Sequence, residues 1–457
     1  MKIVVCIRLG RDGEPGAFDA AAYEEALRIE GAEVILLSMG PEGDAQSLLK
    51  LTRLGASRVI LLSDKAFAGA DTLATAYTLS GAIKRIRPDL VFTGRQTLIG
   101  DTAQTGPMTA AMLGFSLITN VMNLRVEKGR VIAETREDGT VSSGTPALLT
   151  FERTAQLRLP RLRSKLGELE VWRLSDIGAD ESRTGLLGSP TRVVKTFENE
   201  SGRRRCKFIG RDELGAVIEA ARNKKKSDDE SAKTLRKLDT GAVISVTETP
   251  LSFADSICDG ARVVPLSGAD ALIAEIKESK PRAVIFGSDA ASKRLSAEVA
   301  AKLSLGLCAD CTALEYDGED IYMYRPALSG TVIAKIKSTT VPMLATVRTK
   351  SESTSDITVA MGYGVKDSIE RVKAFAHGLG ASLATTRKMT DNALSPYELQ
   401  VGLTGRCVAP PIYIAIGVSG AVHHVVGMER SGTVIAINPD KNAPIFDYAD
   451  YGILEEF

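Results

Sequence analysis

Residues 412–418 read IYIAIGV, an apolar run introduced by Pro410 and Pro411 and ended by Ser419 and Gly420. A strand with one wet face alternates apolar and polar residues, so an unbroken run of this length fits a strand buried on both faces of a parallel sheet. In open α/β sheets ligands bind beyond the carboxyl ends of the strands. A Ser-Gly turn leading into a helix also exposes backbone N–H groups to anionic or carbonyl oxygens there. Residues 433–437, TVIAI, repeat the design and deliver Asn438 and Asp440 to the same rim.

The chain from its start follows the same logic. A β-branched run over residues 2–7 is followed by a helical pattern over 18–30, with Ala22, Ala26 and Ile29 on one face, and by a second strand over 32–38. Helix and strand patterns then alternate over 48–54, 58–62, 73–86 and 90–93, which predicts a parallel sheet covered by helices on both sides. Ser38, Met39 and Gly40, then Ser63 and Asp64, then Gly94, Arg95 and Gln96 end three of these strands and should line one nucleotide-sized crevice.

Composition narrows the function. With 457 residues the chain has room for two or three domains. Its 57 Lys and Arg balance 57 Asp and Glu, which removes the electrostatic case for a nucleic-acid or membrane-surface protein. No apolar run reaches the roughly 18 residues of a membrane span, and MKIVVCIRLG reads as a strand and turn rather than a signal peptide, so a cytoplasmic setting is expected. Six scattered cysteines fit reduced thiols.

The C-terminal run QVGLTG, GVSGAVHH, AIN and APIF, at residues 400–405, 417–424, 436–438 and 443–446, resembles the flavin-binding domain of the electron-transferring flavoprotein α subunit. The N-terminal half resembles the β subunit of the same family. It does so through EEALRIEGAEVILLSMGP, LGASRVILLSDKAFAGADTLATAY, FTGRQTLIGDTAQTGPMTAAMLG and EVWRLSDIGAD followed by GSPTRVVK. Residues 260–330 resemble the α subunit's N-terminal domain, so two subunits stand fused with β first, a pseudo-heterodimer within one chain. The resemblance implies an α/β fold: two Rossmann-like nucleotide-binding domains with parallel sheets plus a C-terminal α/β FAD-binding domain. The divisions are a β-like domain over 1–190, an arm over 191–226, a linker over 227–240, a truncated α-like domain over 241–350, and the FAD-binding domain over 351–457. The join itself falls in the Lys- and Asp-rich stretch 223–233, and the Ser- and Thr-rich stretch 349–356 reads as a hinge.

The resemblance also assigns residues. FAD is expected against Thr386 and Arg387, against Gln400, Val401, Gly402, Leu403, Thr404 and Gly405, and against Gly417, Ser419, Gly420, Ala421 and Val422. His423, His424, Asn438 and Asp440 complete that set, with His424 as the donor near the ring's C2 carbonyl and His423 read as structural. A donor or cation there favours the reduced ring, and the Arg387 guanidinium keeps its charge at any pH. Thr386 keeps a hydroxyl where the family has serine, and Thr404 keeps the hydroxyl near flavin N5. Leu403 replaces a glutamine, and Tyr363, in the turn 362–364, replaces an arginine that would face the phosphates. These changes predict weaker phosphate anchoring.

A second nucleotide, AMP or a second FAD, is expected at Cys6, Met39, Asp101, Thr102, Gln104, Thr105, Gly106 and Thr109, where a helix start favours phosphate. The first loop, only residues 9–17, is shorter than the family's. The loop between Pro160 and Trp172, by which the family recognises dehydrogenases, is also short, and Leu162 is the nearest match to its apolar anchor. Cys308 and Cys311 form C-x-x-C without a second pair at zinc spacing and read as structural, so no metal is expected.

The implied function is electron transfer through FAD from an acyl-CoA dehydrogenase-like flavoprotein, as in fatty acid β-oxidation, to a quinone- or ferredoxin-linked acceptor. The chain is then a carrier rather than an enzyme acting on its own substrate, and a second FAD would imply NADH-linked electron bifurcation. The rival reading is a redox-inactive nucleotide-binding sensor on the same fold, for which the shortened loops speak. No G-x-G-x-x-G opening supports an NAD-dependent enzyme.

Overall fold

A computed structural model describes residues 1–97, 100–127, 129–199, 202–223, 237–349 and 355–457. Most of the expected join and most of the expected hinge lie outside the described residues. The chain divides into two compact units, one of Met1–Lys195, Leu235–Arg325 and Ala334–Val347, the other of Thr196–Thr234, Pro326–Ile333 and Arg348–Phe457.

The first unit opens with β1 (Lys2–Cys6), α1 (Ala17–Arg28), β2 (Glu33–Met39), α2 (Ala45–Leu51), β3 (Arg58–Leu62), α3 (Thr72–Ile86), β4 (Leu90–Gly94) and α4 (Thr105–Leu113). β1 to β4 bury nearly every side chain, as their apolar runs predicted. An antiparallel excursion beyond the predicted parallel strands follows: β5 (Ser116–Glu127), β6 (Arg130–Thr135) and β7 (Gly139–Gly144), with a return through β8 (Ala147–Phe151), β9 (Glu168–Trp172) and α5 (Leu174–Ile177). The nine strands run in the order β7-β6-β5-β8-β4-β1-β2-β3-β9. After β10 (Thr191–Glu198), β11 (Lys207–Phe208) and α6 (Leu214–Asn223) come β12 (Val243–Val246), α7 (Leu251–Ile257), β13 (Arg262–Val264), α8 (Ala269–Ser279), β14 (Ala283–Phe286), α9 (Ala290–Leu303) and β15 (Leu307–Cys311). β16 (Ala313–Tyr316), β17 (Ile321–Ala327), β18 (Val332–Ser338) and β19 (Met343–Val347) follow, and a second parallel sheet runs β13-β12-β14-β19-β15.

The two sheets of this unit share a core. Leu73 and Ala76 of α3 and Met108 of α4 bury themselves in one cluster with Leu295, Val299 and Ala300 of α9. Arg294 of α9 donates to Thr119 Oγ1 at 3.0 Å and to Asp138 Oδ2 at 2.6 Å, tying the second sheet's helix to the excursion of the first. Each leucine or methionine buried there contributes about 1.5–3 kcal/mol, so the halves are held by packing and not only by the peptide chain.

The second unit is a six-stranded parallel sheet built from β20 (Ile357–Met361), α10 (Ile369–Gly378), β21 (Ser382–Thr385), α11 (Arg387–Asp391), β22 (Ile412–Ile416), α12 (Val422–Val425), β23 (Thr433–Ile437) and β24 (Tyr451–Ile453). Its order is β11-β24-β23-β22-β20-β21. The edge strand comes from the arm: Lys207 and Phe208 pair with Tyr451 and Gly452, and Leu214 and Ile218 of α6 bury themselves against Ile357, Ile414 and Phe457. Arg204 seals the edge by donating to the carbonyls of Gly432 and Ser431, both at 2.6 Å, and to Asp450 at 2.5 Å.

Asp71 joins the start of α3 to the start of β10. Its Oδ1 caps α3 through Ala74 N at 3.0 Å, while Oδ2 accepts from Thr191 N at 3.0 Å and Thr191 Oγ1 at 2.6 Å. Asp71→Ala should therefore cost about 1–3 kcal/mol, read as a lower chemical-denaturation midpoint for the first unit with α3 losing amide protection first.

Candidate functional site

Sheet order locates the crevice of the second unit. From β20 the chain moves to β21 on one side and then crosses to β22 on the other, so the topological switch point lies beyond the carboxyl ends of β20 and β22. The two turns there are locked together. Gly362 N donates to Ile416 O at 2.8 Å and Gly364 N to Gly417 O at 3.1 Å. A Cβ on Gly362 would lie 2.0 Å from Gly417 O, and one on Gly420, at φ +86°, would lie 2.1 Å from Ile445 N. Glycine is therefore required at both, and the rim presents backbone rather than side chains.

Residues 400–406 wrap onto this rim. Val401 N donates to Thr385 O at 2.9 Å and Leu403 N to His423 O at 2.6 Å, and Gly405 N closes the loop on Gly402 O at 3.1 Å. Arg348 supports it by donating to Leu403 O at 2.7 Å. Inside the loop Thr390 Oγ1 donates to Gln400 Oε1 at 3.0 Å, and Gln400 Nε2 donates to Thr404 Oγ1 at 2.8 Å. Gln400 is thus a brace that sets the orientation of the Thr404 hydroxyl, not a group free for a ligand.

His424 departs from the role expected of it. Its Nδ1 faces Val401 O at 3.1 Å, which only accepts, so Nδ1 carries the proton and Nε2 accepts from the Tyr413 hydroxyl at 3.0 Å. Both ring nitrogens are satisfied within the protein. Burial pushes the imidazole down to about 4, with the Val401 carbonyl opposing and His423 assisting. Burial likewise keeps the Tyr413 hydroxyl protonated. A neutral imidazole so engaged offers neither a cation nor a spare N–H to the rim. His423 is exposed and contributes its carbonyl to Leu403.

The remaining expected residues divide in two. Asn438 comes to the rim but spends its carboxamide there, donating to Val418 O at 3.0 Å and accepting from Asp440 N at 2.9 Å. Asp440 accepts from Asn442 N and points the chain back to Ala443. Ser419 is exposed and its carbonyl accepts from Ile445 N, while Ala421 and Val422 start α12. Thr386 N donates to Met361 O at 3.0 Å, which brings Thr386 and Arg387 to the β20 end. The Thr386 hydroxyl oxygen is buried without a protein partner, and Arg387 lies 3.5 Å from Asp391. An orphaned hydroxyl and a fixed cation beside glycine turns at a switch point fit a dinucleotide with phosphates and a planar ring.

The first unit has its own switch point between β1 and β4. Sequence reading missed the residue that holds it. Asp19, in the first turn of α1, accepts from Arg8 N at 2.9 Å and from Gly94 N at 3.2 Å. Burial pushes this carboxyl up to about 7 against the pull of those two donors and of the Arg8 charge, and it also raises the neighbouring Cys6 thiol. An acid on the buried face of a helix, just after Phe18, was the available signal. Cys6 and Met39 end β1 and β2 as expected. At α4, Thr105 is the first helical residue, and a Cβ on Gly106 would lie 2.9 Å from Thr93 Oγ1, so this helix start rests on the strand ends. Gln104 is 1% exposed, and neither end of its carboxamide has a protein partner. Thr102 Oγ1 accepts from Gln104 N at 3.4 Å, and the Asp101 carbonyl accepts from Arg325 at 3.0 Å. Thr109 instead turns inward and donates to Thr105 O at 2.7 Å, because it sits one helical turn below the rim. Cys308 and Cys311 are buried in β15, with Cys311 Sγ 3.6 Å from Cys308 O. Among the described residues no His, Cys, Asp or Glu cluster could hold a metal.

The switch point at β20/β22 on a parallel sheet, and that at β1/β4 among the parallel strands of a mixed sheet, are the ligand-binding positions of an open-sheet α/β protein. The family model described as "Electron transfer flavoprotein domain" matches residues 3–177 and 260–373, and "Electron transfer flavoprotein FAD-binding domain" matches 353–429. The chain belongs to the electron transfer flavoprotein family. Among curated relatives, electron transfer flavoprotein subunit beta of Clostridium acetobutylicum is 38% identical over 232 residues, covering 44% of this chain and 89% of that protein. Protein FixA of Azorhizobium caulinodans is 37% identical over 236 residues, 43% of this chain and 84% of that one. Caffeyl-CoA reductase-Etf complex subunit CarD of Acetobacterium woodii is 38% identical over 205 residues, 41% of this chain and 78% of that one.

The neutral His424 has a thermodynamic consequence. A base whose folded value, about 4, lies below its ordinary one of 6.5 stabilises nothing it must protonate: the contribution is complete above pH 6.5 and lost as pH falls toward 4. At pH 5 the loss should be about 2 kcal/mol. Urea midpoints of the second unit at pH 7.5 and pH 5 should differ less in His424→Gln than in the unsubstituted chain, and an equal difference would show that the imidazole is not held neutral.

Proposed function

We propose that the chain relays electrons through one FAD at the β20/β22 rim, from an acyl-CoA dehydrogenase-like flavoprotein to a quinone- or ferredoxin-linked acceptor, in the cytoplasm. The observation that carries this reading is the convergence of the Thr386 hydroxyl, Arg387 and two interlocked glycine turns at a switch point inside the segment matched as FAD-binding. FAD, when bound, supplies a ring that takes up and releases electrons. Arg387 gives the rim a charge that does not titrate, Thr404 is oriented by Gln400, and the neutral Tyr413–His424 pair forms an uncharged wall. No described helix is long and apolar enough to cross a membrane. AMP or a second FAD at the β1/β4 rim belongs to the same proposal, supported by the partnerless Gln104 carboxamide and the α4 start. A second FAD would make NADH-linked electron bifurcation available.

A partner surface is proposed on residues 153–166. Arg158 forks onto Glu24, with Nη2 to Oε1 at 2.9 Å, Nε to Oε2 at 3.0 Å and its own backbone N to Oε2 at 3.1 Å. Burial alone would raise the Glu24 carboxyl, but the Arg158 bonds hold it below its ordinary value. The strap so pinned leaves Leu162 95% exposed, between Arg161 and Arg163. A leucine presented in this way suits an apolar pocket rimmed by acidic residues on a dehydrogenase. The Acetobacterium relative is named as a subunit of a caffeyl-CoA reductase-Etf complex.

Protein reconstituted with FAD should retain flavin absorbance through gel filtration, and chromatography of the released nucleotides should give one FAD with AMP, or two FAD, per chain. A colourless protein would overturn the relay. Separately, Leu162→Asp should raise the KM for an acyl-CoA dehydrogenase partner about tenfold with the flavin spectrum unchanged, and an unaltered KM would remove the strap from partner docking.

A further inference from the structure

The tyrosine at 363, in the turn after β20, is one reason to expect weak phosphate binding. The structure places a cation there by another route. Lys388 Nζ stands 4.0 Å from the centroid of the Tyr363 ring. Tyr363 is half-buried, packed against the core that contains Ile357 and Val359, so its ring is fixed from below. Lys388 is exposed, one residue past Arg387 and two past the partnerless Thr386 hydroxyl.

Charge pairing separates Lys388 from its neighbours. Lys366 pairs with Asp367, Lys373 with Glu370 and Arg387 with Asp391, whereas Lys388 has no carboxylate partner among the described residues. A lysine side chain left to itself samples many rotamers. The ring face attracts the ammonium through its quadrupole and restricts it, leaving the N–H donors on the far side available. The position is also specific: Tyr363 follows Gly362, clamped to Gly417, and Thr386 is tied to Met361, so both partners stand at the ends of adjacent strands β20 and β21 beside the switch point.

We propose that Tyr363 and Lys388 act as one phosphate-binding unit, in which the aromatic ring positions the lysine ammonium against the pyrophosphate of the dinucleotide. The proposal rests on FAD occupying the β20/β22 rim. Lys388 is the binding residue and Tyr363 the positioning residue. A phosphate contact made by a mobile, exposed ammonium is sensitive to salt, and one made by an ammonium held over a ring is less costly to form.

The test is titration of the flavin-free protein with FAD and with riboflavin, which lacks phosphates, at low and high salt. Lys388→Ala should raise the Kd for FAD about tenfold and reduce its salt dependence, with the Kd for riboflavin unchanged. Lys388→Arg should restore most of the affinity. Tyr363→Phe should bind as the unsubstituted chain does, Tyr363→Leu should resemble Lys388→Ala, and the double change Tyr363→Leu/Lys388→Ala should be no worse than Lys388→Ala alone. An unchanged Kd for FAD in Lys388→Ala would overturn the proposal, as would equal losses for FAD and riboflavin or additive effects in the double change. If the unsubstituted protein binds no FAD, the assignment of the rim itself is what fails.

Discussion

The contact between the Gly362–Gly364 turn and the turn that starts at Gly417 governs the second unit. Two central parallel strands end side by side, and their continuations must leave the sheet in different directions without filling the space between them. Backbone approach as close as Gly362 to Gly417 O permits this only where both turns lack a Cβ. The loop 400–406, the α12 start and the ends of β21 and β23 are then positioned against that pair of turns by backbone hydrogen bonds. Side chains are left to tune the rim rather than to build it.

Charge is handled differently at the two crevices. At β20/β22 the cations Arg387 and Lys388 stand near the strand ends, while the imidazole that might have joined them is kept neutral by burial and by Tyr413 and Val401. At β1/β4 a carboxyl group occupies the backbone donors at the switch point itself. The start of α4, with the partnerless Gln104 carboxamide and Gly106, lies across the same crevice. The same topology thus offers two electrostatic environments.

Fusion changes what the interface must do. The first sheet and the second sheet of the first unit share a buried cluster and the Arg294–Asp138 tie. With both in one chain, their encounter does not depend on concentration. The arm carries an edge strand and α6 to the FAD-binding sheet, so that sheet is completed by residues far earlier in the chain.

The sequence by itself determined the fold class, the alternation of strands and helices in the parallel part of each sheet, and the strand ends at which the candidate residues lie. Uninterrupted apolar runs and glycine turns are local signals that reflect burial on both faces and tight backbone approach. It also carried the family, through motifs whose spacing survives fusion. What it could not determine was where each polar side chain spends its hydrogen bonds. His424 had the right position for a donor, but Tyr413, eleven residues earlier, and Val401 consume both nitrogens. Gln400 became a brace, Thr109 turned into its helix, Asp19 took the β1/β4 amides, and Lys388 moved over Tyr363. Each outcome depends on a partner brought near by sheet register and strand crossover. Such distances are properties of the packed structure, since one sequence position does not specify which group from elsewhere in the chain will face it.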